Sequence, residues 1–190
     1  MGWLARLFGQ RARTPSDWVR TLGTPHCPPV IAPPEAIDDP DWAWRTLVAW
    51  WERTGSDIPS VGASDDVVDA LARRYDIVLP ADFRAYLRHA CPAREEEMDW
   101  GNGTWWHPHR IRNLPDEYEY PVGSVITNGG RRWLFFADHL IWSYAWAICC
   151  EPGPDWGKVA VILGENDDFV VAGSFSGFVA GYVADPRGMV

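Results

Sequence analysis

Apolar spacing along this chain changes from helical to strand-like and then back, and that order narrows the fold more than any single motif does. Between residues 40 and 90 apolar side chains recur at steps of three and four, the mark of helices with one buried stripe. Trp42, Trp44, Leu47, Val48, Trp50 and Trp51 follow Pro40, with Asp39 as the expected cap and Gly55 as the expected stop. A second helix is predicted from Asp65 to Arg74, capped by Ser64, with Val67, Val68, Leu71, Ala72 and Tyr75 inward. A third is predicted from Pro80 to Ala90, built on Phe83, Tyr86 and Leu87, and Pro92 stops it. Residues 93–120 show neither period and read as a long irregular region, apart from a short strand at Thr104-Trp105-Trp106.

Further on the period becomes two. Strands are predicted over Arg132–Ala137, Trp142–Cys149, Lys158–Leu163 and Phe169–Ala172. In the second of these, bulky Trp142, Tyr144, Trp146 and Ile148 alternate with small Ser143, Ala145, Ala147 and Cys149. The small face is expected to admit a helix closely. Short links imply an antiparallel meander, and Ser174 is placed to cap a final helix carrying Phe175, Phe178, Val179 and Tyr182. Helices, then strands, then one helix make an α+β fold, an antiparallel β-sheet covered on one face by helices. Residues 61–190 form the main domain. Residues 1–60 add an N-terminal helix, a proline-rich arm over 23–41 and an extra helix, with 40–60 joined to the domain as one compact unit.

A chain of 190 residues that is 47% hydrophobic has enough apolar material for a sizeable core. Its formal net charge of -9 disfavours direct nucleic-acid binding, which needs a basic footprint, and suits a basic partner. Apolar runs are short of a membrane span, and the block Trp3-Leu4-Ala5-Arg6-Leu7-Phe8 is short for a signal peptide. The expected location is the cytoplasm, without stable membrane association. Of the four cysteines none forms a CxxC pair. Adjacent Cys149 and Cys150 should point to opposite faces, one thiol buried and one at the surface.

The chain carries no phosphate-binding loop, dinucleotide fingerprint, HExxH or GxSxG. Asp99 with His107, and Asp138 with His139, are pairs whose geometry would decide any role. The expectation is a non-enzymatic protein with no cofactor and no bound metal. Two acidic groups are the candidate partner contacts: Glu95, Glu96, Glu97 and Asp99 beside Trp100, and Glu165, Asp167 and Asp168 in a later turn. Charges would steer association and Trp100 would anchor it.

The run Val67 to Leu87, with Leu79, Pro80, Asp82, Phe83 and Leu87 at its key places, resembles the opening of an SMI1/KNR4 domain of the SUKH superfamily. Leu134-Phe135-Phe136-Ala137-Asp138 is similar to that family's central strand and acidic turn, and Val171 to Val179 to its closing strand and Ser-Phe-x-x-Phe helix. The resemblance covers residues 60–184. Two places depart from it: Cys91-Pro92-Ala93-Arg94 stands where members carry Asn-Gly, and Leu140-Ile141-Trp142-Ser143 replaces a glycine-containing segment. The resemblance implies an immunity protein that binds and neutralises a cognate bacterial toxin, frequently a nuclease. The fungal branch implies instead a regulatory or scaffold role through protein contacts. A small hydrolase is the remaining alternative.

Overall fold

The computed structural model describes residues 38–117, 126, 132–163 and 168–189. The predicted N-terminal helix, most of the proline-rich arm, Cys27, and the candidate contacts Glu165 and Asp167 lie outside the described residues. Three helices come first: α1 (Trp42–Thr54), α2 (Asp65–Tyr75) and α3 (Ala81–His89). Gly55, at φ 73°, stops α1 in the left-handed conformation that glycine adopts freely. The start of α1 is two residues later than predicted, with Asp41 rather than Asp39 in the cap position. Pro80 stands immediately before α3, as its missing N–H allows.

The strands are β1 (Glu96–Met98), β2 (Gly103–Trp106), β3 (Arg112–Asn113), β4 (Trp133–His139), β5 (Tyr144–Cys149), β6 (Val159–Ile162) and β7 (Phe169–Ala172). A short helix α4 (Leu114–Glu117) follows β3, and α5 (Phe175–Ala184) with a 3-10 turn at Pro186–Gly188 follows β7. All pairings are antiparallel, in the order β1-β2-β4-β5-β6-β7, with β3 also pairing β4. The fold is α+β. The region predicted as irregular thus supplies the edge strand β1, the strand β3 and α4. A strand of two or three residues is too short to show a period, and its partner imposes it.

The core joins α1, α3 and α5 to one face of the sheet. Trp146 on β5 meets Phe178 and Tyr182 of α5 with ring centroids 5.3 and 5.5 Å apart. The ring-bearing face of β5 therefore receives the helix, not the small face, which corrects the sequence expectation. Edge-to-face rings interlock and bury more apolar area than a helix laid on alanines would. Trp51 of α1 packs on Trp105 at 5.5 Å, so residues 42–54 belong to this same core. At the helix junction, Asp82 Oδ2 accepts from both the amide and the hydroxyl of Ser176, at 2.8 and 2.9 Å, and ties α3 to the start of α5. Ser174 caps α5 as predicted, its Oγ accepting from the Gly177 amide at 3.0 Å.

Helices cover one face of the sheet, as expected, and the central strands are buried on the other face as well. Every residue of β2, β4 and β6 is buried, although alternate side chains point to opposite sides. Beyond the helices, the segment carrying Arg110 lies over Trp106 on the far face. For the same reason Cys149 and Cys150 are both buried, where one surface thiol was expected. Burial pushes the Cys150 thiol well up and Cys91 to about 12, so neither is a ready thiolate near neutral pH.

Candidate interaction site at one end of the sheet

Antiparallel pairing brings the β1–β2 turn and the β4–β5 turn to the same end of the sheet, where the Leu140 amide donates to the Asn102 carbonyl at 3.1 Å. In the β4–β5 turn three successive non-glycine residues have positive φ: Leu140 at 46°, Ile141 at 53° and Trp142 at 66°. For L-residues this conformation costs roughly 1–2 kcal/mol each, and a β-branched residue tolerates it worst. These are the positions where the resemblance would have a glycine-containing segment. The same side chains face solvent, with Ile141 81% exposed, Leu140 50% and Trp142 38%. Trp100, 66% exposed, stands in the neighbouring turn.

Fixed groups hold this turn. Asp138 accepts from the Trp142 amide through Oδ1 and from the Trp106 indole through Oδ2, both at 2.9 Å. The Ser143 amide donates to the His139 carbonyl at 2.9 Å. The Trp142 ring packs on Trp106 and Phe135 at 5.2 and 5.3 Å. Above them the Arg110 guanidinium lies 4.2 Å from the Trp106 ring centroid and 5.8 Å from that of Trp142, while its Nε donates to Glu96 at 2.8 Å. Trp142 was predicted to begin β5. It instead leaves the ring-bearing face and packs on the other, because the left-handed residues before it break the alternation.

Beneath this end, on the helical face, sits Asp99. It was expected as a surface contact and is 5% exposed. Its carboxylate accepts from the indoles of Trp51 at 3.2 Å and Trp105 at 2.7 Å, from the Tyr182 hydroxyl at 2.8 Å, and from the Gly103 amide at 3.0 Å. Burial raises its pKa above the usual carboxylate value, although each of these donors pulls it down. A carboxylate so surrounded organises the core and is not presented to a partner. Asp168 is likewise buried, at 4% exposure, and accepts from the Leu163 amide at 2.9 Å.

The other predicted contacts divide. Glu95 and Glu96 are exposed and Glu97 is half-buried. Glu96 pairs with Arg110 and Glu97 with Arg94, so the acidic run on β1 is largely neutralised by its own arginines. Trp100 remains an exposed ring. Sequence reasoning did not select Leu140, Ile141 or Arg110 as contacts, and it named Asp138 only beside His139, not as the acceptor that holds this turn. The departure of Leu140–Ser143 from the expected glycine segment was the signal that could have found the turn.

The histidine electrostatically coupled to Asp99 is His139, whereas His107 neighbours His109, with ring centroids 4.8 Å apart, and Glu95. The His139 ring stacks on Tyr144 at 4.6 Å, and burial holds its pKa below 6.5 against the pull of Asp99 and Asp138 and with the push of Arg187. In the unfolded chain this imidazole takes a proton near its ordinary value, and in the fold it does so only at lower pH. Its contribution is therefore complete above about pH 6.5 and lost as pH falls through the window below it. His139→Phe keeps the stack and removes the titration. Urea unfolding at pH 7.5 and 5.0 should show a smaller loss of stability for the variant than for the parent chain; equal losses would contradict this. Among the described residues, no group of three or more His, Cys, Asp or Glu could hold a metal ion, and no helix is long and apolar enough to cross a membrane.

No family model matches this chain, and no curated protein matches it.

Proposed function

We propose that this chain is a non-enzymatic, cytoplasmic protein-binding module that neutralises a cognate bacterial toxin domain by holding it at the exposed end of the sheet. One observation carries the binding part: large apolar side chains are displayed on a backbone turn that disfavours them. A stable fold with no use for that turn would be relieved by glycine, asparagine or a polar tip. Strain of this kind, retained together with exposed apolar groups, is characteristic of contact sites. The toxin as partner is supported by the resemblance of residues 60–184 to SMI1/KNR4 domains. A net charge of -9 is complementary to the basic surface with which a nuclease holds phosphate.

Co-expression tests this reading. The toxic protein encoded beside this chain's gene, expressed alone, should stop growth. The parent chain should restore it, and Ile141→Asp should restore it at least tenfold less well while folding normally. If neighbouring open reading frames are harmless and the chain instead copurifies with a non-toxic regulator, the scaffold role of the same fold replaces the immunity role.

A further inference from the structure

Six of the exposed large apolar residues fall at one end of the sheet. Leu140, Ile141 and Trp142 form the β4–β5 turn and Trp100 the turn beside it; Met98 ends β1, and Leu163 follows β6. Strand register explains the grouping. Met98 lies opposite Thr104, Thr104 opposite Asp138, Asp138 opposite Ala145, and Ala145 opposite Ile162, so one row across the sheet leads from Met98 to the residue before Leu163. The two most exposed members, Ile141 and Trp100, stand on turns joined by the Leu140–Asn102 hydrogen bond. They are fixed from below by Asp138 and Asp99 and from the side by Arg110. A rigid apolar projection of this kind loses little conformational freedom on binding.

We infer that the Leu140–Trp142 turn, with Trp100 beside it, is a preformed plug that enters an apolar socket on a basic protein partner. This rests on the protein-binding reading above and names the contact face and the partner's chemistry. Charge selects the occupant. At a net charge of -9, a second copy of this chain, a nucleic acid and an anionic bilayer are all repelled at long range, whereas a basic polypeptide is attracted. The apolar plug then supplies the short-range contact, as a buried centre inside a charged rim does in other interfaces. Arg110 is a positioning residue: it clips Trp142 to the edge strand through Glu96 and leaves Ile141 free to enter the socket.

A photo-crosslinking benzoylphenylalanine in place of Ile141, and in a second chain in place of Val170 on the far edge strand β7, tests the face in cells that encode this chain. The expected result is one heterologous crosslinked protein from position 141 and none from position 170. That protein, purified, should bind the parent chain with an association rate that falls at least tenfold between 0.05 and 0.5 M salt. Ile141→Asp and Trp100→Ala should each weaken binding at least thirtyfold, mainly through faster dissociation, and Val170→Asp by less than threefold. Crosslinks from 141 only to a second copy or to lipid, a salt-independent rate, or a partner crosslinked only through position 170 would each overturn the inference. A toxin neutralised through the β7 edge would sink the plug and leave the immunity reading intact. A basic, non-toxic protein held at position 141 would do the reverse, and no heterologous crosslink at either position would count against both.

Discussion

Asp99→Ala is expected to destabilise the protein by about 3–5 kcal/mol, the largest loss from any single side chain at the sheet end. Three side chains donate to this carboxylate from three separate elements: Trp51 on α1, Trp105 on β2 and Tyr182 on α5. Truncation leaves two indole N–H groups and a phenol inside the core without an acceptor, and each such group costs about 1–3 kcal/mol, less what relaxation or a water recovers. At this chain length that loss lowers Tm by roughly 10 °C. Asp99→Asn keeps the volume but turns an amide N–H₂ toward the same donors, so an intermediate loss is expected. Calorimetry of both variants checks the ranking. A Tm within 2 °C of the parent for the alanine variant would show that these donors find other acceptors.

Gly62→Ala should be comparably harmful for a different reason. Gly62 has φ +69°, and a Cβ there would lie 2.0 Å from the Arg88 carbonyl oxygen, 2.4 Å from its carbon and 2.7 Å from the His89 amide nitrogen. These atoms are backbone and cannot rotate away. The segment is also laced to the end of α3, with the Gly62 amide donating to Cys91 O at 3.2 Å and the Ala63 amide to Leu87 O at 2.8 Å. Overpacking together with the left-handed penalty amounts to about 2–5 kcal/mol. Gly55→Ala is the matched control, because Gly55 has φ +73° with nothing within 4 Å of the added carbon. It should lose only about 1 kcal/mol, the conformational part alone. Denaturant midpoints of the two variants separate steric from conformational loss; equal midpoints would contradict the contact.

The helices were legible because their ends carry local chemistry. Gly55 needs a left-handed residue, Pro80 suits a first turn, and the Ser174 hydroxyl accepts the Gly177 amide. The longer strands were legible from period two. What could not be read depends on partners remote in sequence. Asp99 looks like one more member of an acidic run, yet Trp51 is 48 residues before it and Tyr182 83 residues after it. Nothing local says that their polar hydrogens converge there. Glu96 and Glu97 also looked like open charge, because Arg110 and Arg94 meet them only once β1 joins the sheet edge. Trp142 misled in the opposite direction. It continues the alternation of Tyr144 and Trp146, and only the positive φ values of the turn reveal that it belongs to the other face. The candidate site was therefore half legible: Trp100 was named, while the Leu140–Trp142 turn was noticed only as a departure from an expected glycine segment.

The uneven placement of tryptophans has a practical consequence. Trp51, Trp105, Trp106, Trp133 and Trp146 are sealed inside, while among the described residues Trp100, Trp142 and Trp156 are the exposed indoles. Emission from the sealed set should lie at short wavelength and ignore a dissolved quencher such as iodide or acrylamide. Of the three exposed indoles, Trp100 and Trp142 stand on the proposed contact face, so a fall in quenching when a partner is added, and its loss in Trp100→Phe, would report occupancy without any attached dye.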